Sequence, residues 1–154
     1  MADGSTLAEE ILGIAIEMER QERAFYLDWA ARIGHPGAAR LLVELAREEE
    51  EHEALFRRIR ERGDVRELAR GEVPPDLHLD EYLVTAPPGP ESTPQDVLIH
   101  AIRTEQNAID LYSAWASLHA GTDLEPLLDG LVEEERRHKA RLEALYQDQF
   151  LEDW

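Results

Sequence analysis

Two short Glu-x-x-His segments hold the residues of this sequence best suited to chemistry. Glu49 precedes His52 by three positions, and Glu135 precedes His138 by the same spacing. Residues three apart lie on one face of a helix, so the carboxylate and imidazole of each segment can reach a common point. Carboxylate oxygen together with imidazole nitrogen suits iron or manganese. One such segment is weak evidence in a glutamate-rich chain, whereas two are a much stronger signal.

The acidic run around the first segment, REEEEHEALF at 47–56, has a competing interpretation as a solvated charged face. The core-facing positions of a bundle helix follow 3-4 spacing, which here gives Leu42, Leu45, Glu49, His52, Phe56 and Ile59. Around the second segment the same spacing gives Leu128, Leu131, Glu135, His138, Leu142 and Leu145. The middle pair is polar in both seams, so we expect it to face inward. The remaining acids of the run, Glu48, Glu50, Glu51 and Glu53, are expected to form a solvated face.

Two further seams each carry a carboxylate near the middle. One runs through Leu12, Ala15, Glu19, Glu22, Tyr26, Trp29 and Ile33, and the other through Leu98, Ala101, Glu105, Ala108, Tyr112, Trp115 and His119. Burying one unpaired carboxylate costs several kcal/mol, and several together would exceed a domain's net stability of about 5–15 kcal/mol. The nearby bases Arg20, Arg47 and Arg136 fall off the seams. Two metal ions, held by Glu19, Glu49, His52, Glu105, Glu135 and His138, would offset this charge.

Other polar residues on or near the seams have two interpretations each. Glu22 is either a further metal ligand or a charge turned toward solvent at the edge of the seam. Tyr26 and Tyr112 either pack in the core or donate a hydrogen bond to a bridging carboxylate. His119 ends its seam and is expected at the helix end, and His100 points away from Glu105 and is expected to be exposed.

Helices must position these residues, and the sequence predicts four of them. They cover about 7–33, 38–62, 94–119 and 124–146 or beyond. Thr6 and Glu9 have capping-box spacing, Gly34 and Gly63 are placed as C-terminal stops, and Thr93 is placed as an N-cap before a proline. About 30 proline-rich residues separate the second and third helices. Short connections and one long crossover predict an all-α four-helix bundle made of two αα-hairpins.

The two hairpins look like copies of one design. A shift of 86 positions aligns 15–30 with 101–116 and 44–56 with 130–142 without a gap. Amphipathic helices can align by chance, but this single offset serves both helices and also pairs tyrosine with tyrosine and histidine with histidine. We therefore predict an internal repeat, 7–62 and 93–148, with a pseudo-twofold axis, inside one domain that spans 1–154.

Charge and composition restrict the function. The chain has 34 acidic and 16 basic residues, a formal charge of −18 that disfavours nucleic acid and anionic membranes and suits a protein that collects cations. It has no cysteine, which excludes disulfides and thiolate metal sites. The start of the sequence lacks a secretory signal pattern, and no apolar run approaches the ~18 residues that a membrane span needs. We expect a cytoplasmic protein.

With its paired Glu-x-x-His segments and the E-x6-Y pattern that joins Glu19 to Tyr26 and Glu105 to Tyr112, the sequence resembles the rubrerythrin-like branch of the ferritin-like superfamily. The resemblance implies a ferritin-like bundle and a non-haem site of two iron ions that reacts with hydrogen peroxide or dioxygen. We expect Glu49 and Glu135 to bridge the ions. The terminal ligands are then Glu19, His52, Glu105 and His138. Manganese is the alternative metal.

Two departures from the family pattern bear on activity. Full rubrerythrins carry a cysteine-held iron in a rubredoxin module, so this chain needs an external electron donor. The family's extra carboxylate comes from the third helix, where this chain has Ala108, and Glu22 occupies the equivalent place in the first helix.

Three hypotheses follow for the function. The leading one is an oxidoreductase that reduces peroxide or dioxygen under oxidative stress, as a homodimer or higher homo-oligomer. The second is a ferroxidase that sequesters iron in an oligomer or as cargo of a shell. The third is a metal-free helical interaction protein.

Overall fold

Four long α-helices make up most of the chain that the structure, a computed structural model, describes, namely residues 7–62, 88–122 and 124–150. They are α1 (Leu7–Arg32), α2 (Pro36–Glu61), α3 (Pro94–Leu118) and α4 (Leu124–Phe150). No strand occurs in these three ranges. The predicted all-α fold of two αα-hairpins is confirmed. None of the helices in the described ranges is both long and apolar enough to cross a membrane.

The helix ends follow from local sequence. The Thr93 side chain accepts a hydrogen bond from the Asp96 backbone amide at 3.2 Å, and the Asp96 side chain accepts one from the Thr93 backbone amide at 3.0 Å. These two bonds form a capping box, so the predicted start of α3 is confirmed. Gly34 ends the first helix with a φ of +67°, a conformation that glycine adopts without strain. The predicted start of α2 at 38 is wrong by two residues, because the His35 ring accepts from the Ala38 amide at 3.0 Å and caps the helix.

Some sequence predictions fall outside the described residues. They are the cap at Thr6, the stop at Gly63 and most of the proline-rich crossover.

The hairpins pack so that α1 lies against α3 and α2 lies against α4. Residues early in one helix of each pair contact residues late in the other: Glu44 pairs with Arg141, while His52 contacts Glu134. Numbering therefore runs in opposite directions along α2 and α4. α1 and α3 are antiparallel in the same way, because Tyr26 contacts Glu105 and Tyr112 contacts Glu19. All four helices therefore surround a common centre.

Two apolar clusters fill the bundle, one on each side of its middle. The first includes Leu12, Ile16, Phe56, Trp115, Leu128 and Leu131, and the second includes Trp29, Leu42, Leu45, Leu98 and Leu142. Burying one such side chain contributes about 1.5–3 kcal/mol. In each helix the seam carboxylates lie between the residues of the first cluster and those of the second. The structure thus places a polar layer between two apolar ones, as the seams predicted.

Candidate metal centre

The six predicted ligands converge in the polar layer, and each is buried with at most 5% of its surface exposed. They form two overlapping groups whose oxygen and nitrogen atoms lie within 4.8 Å of one another: Glu19, Glu49, His52 and Glu135, and then Glu49, Glu105, Glu135 and His138. Glu49 and Glu135 belong to both groups. Every helix supplies at least one residue.

His52 turns its two ring nitrogens to different surroundings. Its Nδ1 faces the centre, 3.0 Å from Glu135 Oε1 and 3.6 Å from Glu19 Oε1. Its Nε2 contacts the outer carboxylate of Glu134. Burial lowers the pKa of His52, but the close carboxylates of Glu135 and Glu19 outweigh this effect and raise the pKa to about 11. The ring is therefore held between an inner and an outer negative charge.

His138 repeats this arrangement from the other hairpin. Its Nδ1 lies 2.9 Å from Glu49 Oε1 and 3.7 Å from Glu105 Oε1, and its Nε2 lies 3.1 Å from Glu48 Oε2. Burial again lowers the pKa, whereas the carboxylates of Glu105 and Glu135 raise it to about 11. Each contact lies 86 positions from its counterpart around His52.

The two tyrosines cross between the hairpins. The Tyr26 hydroxyl donates to Glu105 Oε1, and the Tyr112 hydroxyl donates to Glu19 Oε1. Burial, followed by the charges of neighbouring glutamates, raises the pKa of both hydroxyls well above its usual range, so they remain donors. The hydrogen-bonding interpretation of these tyrosines predicts a bridging carboxylate, Glu49 or Glu135, as the acceptor, and that acceptor is wrong. The bonds reach the α1 and α3 carboxylates because antiparallel packing sets each tyrosine opposite the glutamate of the other helix.

Glu22 is buried at 2% exposure, so the interpretation as a solvent-facing charge is wrong. Neither of its oxygens finds a hydrogen-bond partner in the described part of the chain. Burial raises the pKa of Glu22, and the charges of Glu105 and Glu19 raise it further. Glu22 is not a member of either group of four, and its counterpart in the other hairpin is the buried Ala108.

The centre contains many buried polar atoms that lack hydrogen bonds with any described residue. They are both oxygens of Glu49 and Glu135, and Oε2 of Glu19 and Glu105. Nδ1 of His52 and Nδ1 of His138 also lack hydrogen-bond geometry, although they lie 3.0 Å from Glu135 Oε1 and 2.9 Å from Glu49 Oε1. Burial raises the pKa of Glu19 and Glu105. Burial also acts to raise the pKa of Glu135, but the interactions of this carboxylate with Glu105, His138 and His52 outweigh that effect and lower the pKa. Such unsatisfied atoms are costly unless a cation takes them up. An oxygen and nitrogen donor set that forms two groups sharing two carboxylates fits a pair of metal ions.

Two acids that contact the histidines were missed from the sequence. The sequence predicts a solvated position for Glu48 and does not single out Glu134, yet each touches the outer nitrogen of a histidine on the facing helix. Their side chains are still 43% and 49% exposed. The available signal was that each directly precedes the glutamate of a Glu-x-x-His segment.

Two further predictions are wrong. Glu53 is not on a solvated face, because it is 9% exposed and pairs with Arg23 at 3.2 Å and Arg57 at 2.9 Å. His100 is half-buried against Phe25, with ring centroids 4.7 Å apart. His119 lies at the end of α3 as expected, buried beside Trp115, and does not belong to either group of four.

Comparison with known proteins agrees with this architecture. Residues 10–83 match the family model for Rubrerythrin. The fold is similar to the crystal structure of a Thermotoga maritima protein assigned provisionally as a ferritin-like diiron-carboxylate protein, with a TM-score of 0.70 and 22% identity over 91% of this chain and 94% of that one. The chain has no significant match among curated proteins. The ferritin-like fold and the resemblance to rubrerythrin are confirmed.

Proposed function

We propose, from the rubrerythrin-like sequence of residues 10–83 and the ferritin-like fold of both hairpins, that this chain is a non-haem di-iron carboxylate protein that reduces hydrogen peroxide or dioxygen. One observation carries the proposal. Two four-residue groups share Glu49 and Glu135, and each has one histidine whose Nδ1 faces inward. The buried cluster is thus capable of holding metal at two adjacent points.

The proposed ligands divide between two ions according to these groups. Glu19 and His52 would hold one ion, Glu105 and His138 would hold the other, and the two shared carboxylates would bridge them. Glu22 is proposed as a further ligand, and manganese as the alternative metal. Bound iron would supply electrons for reducing an oxygen–oxygen bond, and an external donor would return them.

The protein's own residues prepare the site for that chemistry. Tyr26 and Tyr112 fix the orientation of the Glu105 and Glu19 carboxylates and keep their protons at the edge of the centre. Glu134 contacts Nε2 of His52, which directs Nδ1 of that ring inward. The apolar clusters on both sides limit water around the buried carboxylates.

Iron oxidation and sequestration is the second candidate function. The observation that favours it is the formal charge of −18, which attracts cations to the whole surface. Storage would require an oligomer or an enclosing shell. In that case aerobic loading takes up many more than two iron ions per subunit, and a count that stops near two, with no shell present, removes storage.

The proposal extends to the whole chain. We propose that residues 1–154 form one cytoplasmic domain with a duplicated hairpin, that it assembles as a homodimer or larger homo-oligomer, and that it acts on neither nucleic acid nor membranes. The pairs of contacts related by 86 positions around His52 and His138 support the duplication.

The test combines metal analysis with stopped-flow oxidation. Protein purified without chelator should contain two iron or manganese ions per chain, and Glu49→Ala with Glu135→Ala should contain none. The reduced iron-loaded protein should be oxidised faster by peroxide than by air, and a donor should return the electrons.

Two results would contradict the proposal. Peroxide that acts no faster than air would remove peroxidase activity. A metal-free protein whose stability is unharmed by the double substitution would favour the helical interaction protein instead.

A further inference from the structure

A cleft of about 340 Å³ lies between α2 and α4 and ends at His52. Leu55 and Gly130 line it, and Glu51 and Glu134 contribute carboxylates to it. A Cβ added at Gly130 would meet nothing within 4 Å, so the absence of a side chain there leaves the space open. The cleft therefore extends from the surface to the outer side of a residue of the metal centre.

The His52 ring separates this cleft from the metal centre. The ring lines the cleft, while its Nδ1 faces Glu135 and Glu19 of the first group of four. Its Nε2 contact is with Glu134, whose side chain is 49% exposed. If the imidazole turns away from this single outer carboxylate, the cleft opens onto the centre.

An ion pair between α2 and α4 occupies the equivalent place beside His138. Under the 86-position shift, Glu44 corresponds to Gly130 of the cleft. Arg141 corresponds to Leu55 of the cleft. Arg141 pairs with Glu44 and lies 3.2 Å from Glu48, the acid that contacts His138. Arg141 therefore joins the residue that matches Gly130 to the acid that contacts His138. The two sides of the centre thus differ in the side chains beside the histidine, although their inner contacts match.

We propose that the cleft beside His52 is the access route by which a hydrated divalent cation reaches the metal centre. The inference rests on the proposed function, because it requires that the centre binds metal. Glu51 and Glu134 outnumber the one basic residue of the cleft, Arg58, and the chain as a whole is strongly acidic. The cleft therefore favours a cation over an anion. Glu134 is placed to receive the ion at the surface while releasing the His52 ring.

The experiment compares Gly130→Phe with Gly130→Ala in the full metal-free chain. Both substitutions improve helix propensity by up to about 1 kcal/mol, so both variants are expected to fold, and only phenylalanine fills the cleft. Cobalt(II) is the probe, and its visible absorption on binding is followed by stopped flow. Filling the cleft should slow association by about tenfold or more while the number of ions bound stays at two. Thermal unfolding checks that both variants are folded.

A second variant tests the asymmetry. Adding Glu44→Ala and Arg141→Leu to Gly130→Phe removes the ion pair over the other side and should restore rapid association.

Three outcomes have distinct meanings. Equal rates for Gly130→Phe and Gly130→Ala would overturn the route, and so would failure of the added substitutions to restore the rate. A parent chain that binds no cobalt, iron or manganese would instead overturn the proposed function.

Discussion

Replacing Glu134 with alanine tests how an acid on the outside of the bundle controls a buried histidine. Glu134 contacts Nε2 of His52, and no other carboxylate of the described residues lies within 4 Å of that nitrogen. Without it the ring loses the charge that directs Nδ1 toward the centre. Loss of such an outer partner lowers metal affinity by about 10–100-fold, or about 1.4–2.8 kcal/mol.

The effect should be confined to one of the two proposed ions. Of the two histidines, Glu134 contacts His52, whereas His138 has Glu48 behind it at 3.1 Å. An anaerobic calorimetric titration with cobalt(II) should therefore resolve one weakened and one nearly unchanged site. Glu133→Ala is the matched control, because Glu133 is the preceding residue, its side chain is 64% exposed, and its ion pair among the described residues is with Arg136 on its own helix at 3.7 Å.

Glu48→Ala should produce the mirror result with a larger loss. It removes the acid behind His138 and also leaves Arg141, 3.2 Å from Glu48, without one of its two partners. A freed guanidinium near the ring would oppose a bound cation. The reasoning is refuted if Glu134→Ala titrates like Glu133→Ala, or if it weakens both ions equally, since the outer acid would then not act through one histidine.

Further substitutions and metal removal test other parts of the structure. Removing the metals with a chelator should lower the free energy of unfolding by about 4 kcal/mol for each ion present at 1,000 times its dissociation constant, and calorimetry that shows no change would contradict metal binding. Tyr112→Phe should remove the hydrogen bond to Glu19 and destabilise the protein by about 1–3 kcal/mol in urea, because the carboxylate stays buried; a change as small as that of an exposed substitution would contradict this bond. Glu22→Leu should stabilise the metal-free chain by about 1–4 kcal/mol, because it removes a buried carboxyl without a described partner, and urea unfolding with metal absent measures the sign. Thr93→Ala should cost about 1 kcal/mol through loss of the capping box, Thr93→Ser should largely keep it, and equal denaturation midpoints for the two would refute the cap.

The seams were predictable because they depend on one helix at a time. The 3-4 spacing that made Leu42 a core residue also made Glu49 one, and both are fully buried. The same rule found Glu105, and the unpaired inward charge then required a cation. Local chemistry likewise predicted the start of α3 at Thr93. Local sequence did not predict the start of α2, because histidine is not among the usual N-cap residues. Only the position of the His35 ring, which accepts a hydrogen bond from the Ala38 amide, shows that His35 caps the helix.

Contacts between helices were not predictable in this way. Glu134 lies next to the seam, and whether it meets His52 depends on how α2 and α4 are rotated against each other. Glu53 is buried because Arg23 of the neighbouring helix lies opposite it. The partner of Tyr26 depends on the relative direction of α1 and α3, which the seam of a single helix does not contain.

Neither hairpin can assemble either ligand group alone. The first group takes three residues from the first hairpin and Glu135 from the second, and the other group takes three from the second hairpin and Glu49 from the first. The tyrosine bonds also run from one hairpin to the other. Ions in the centre would therefore act as a clamp between two halves joined in sequence only by the crossover. Their release should accompany parting of the hairpins, so bound metal would report that the two halves of the chain are docked.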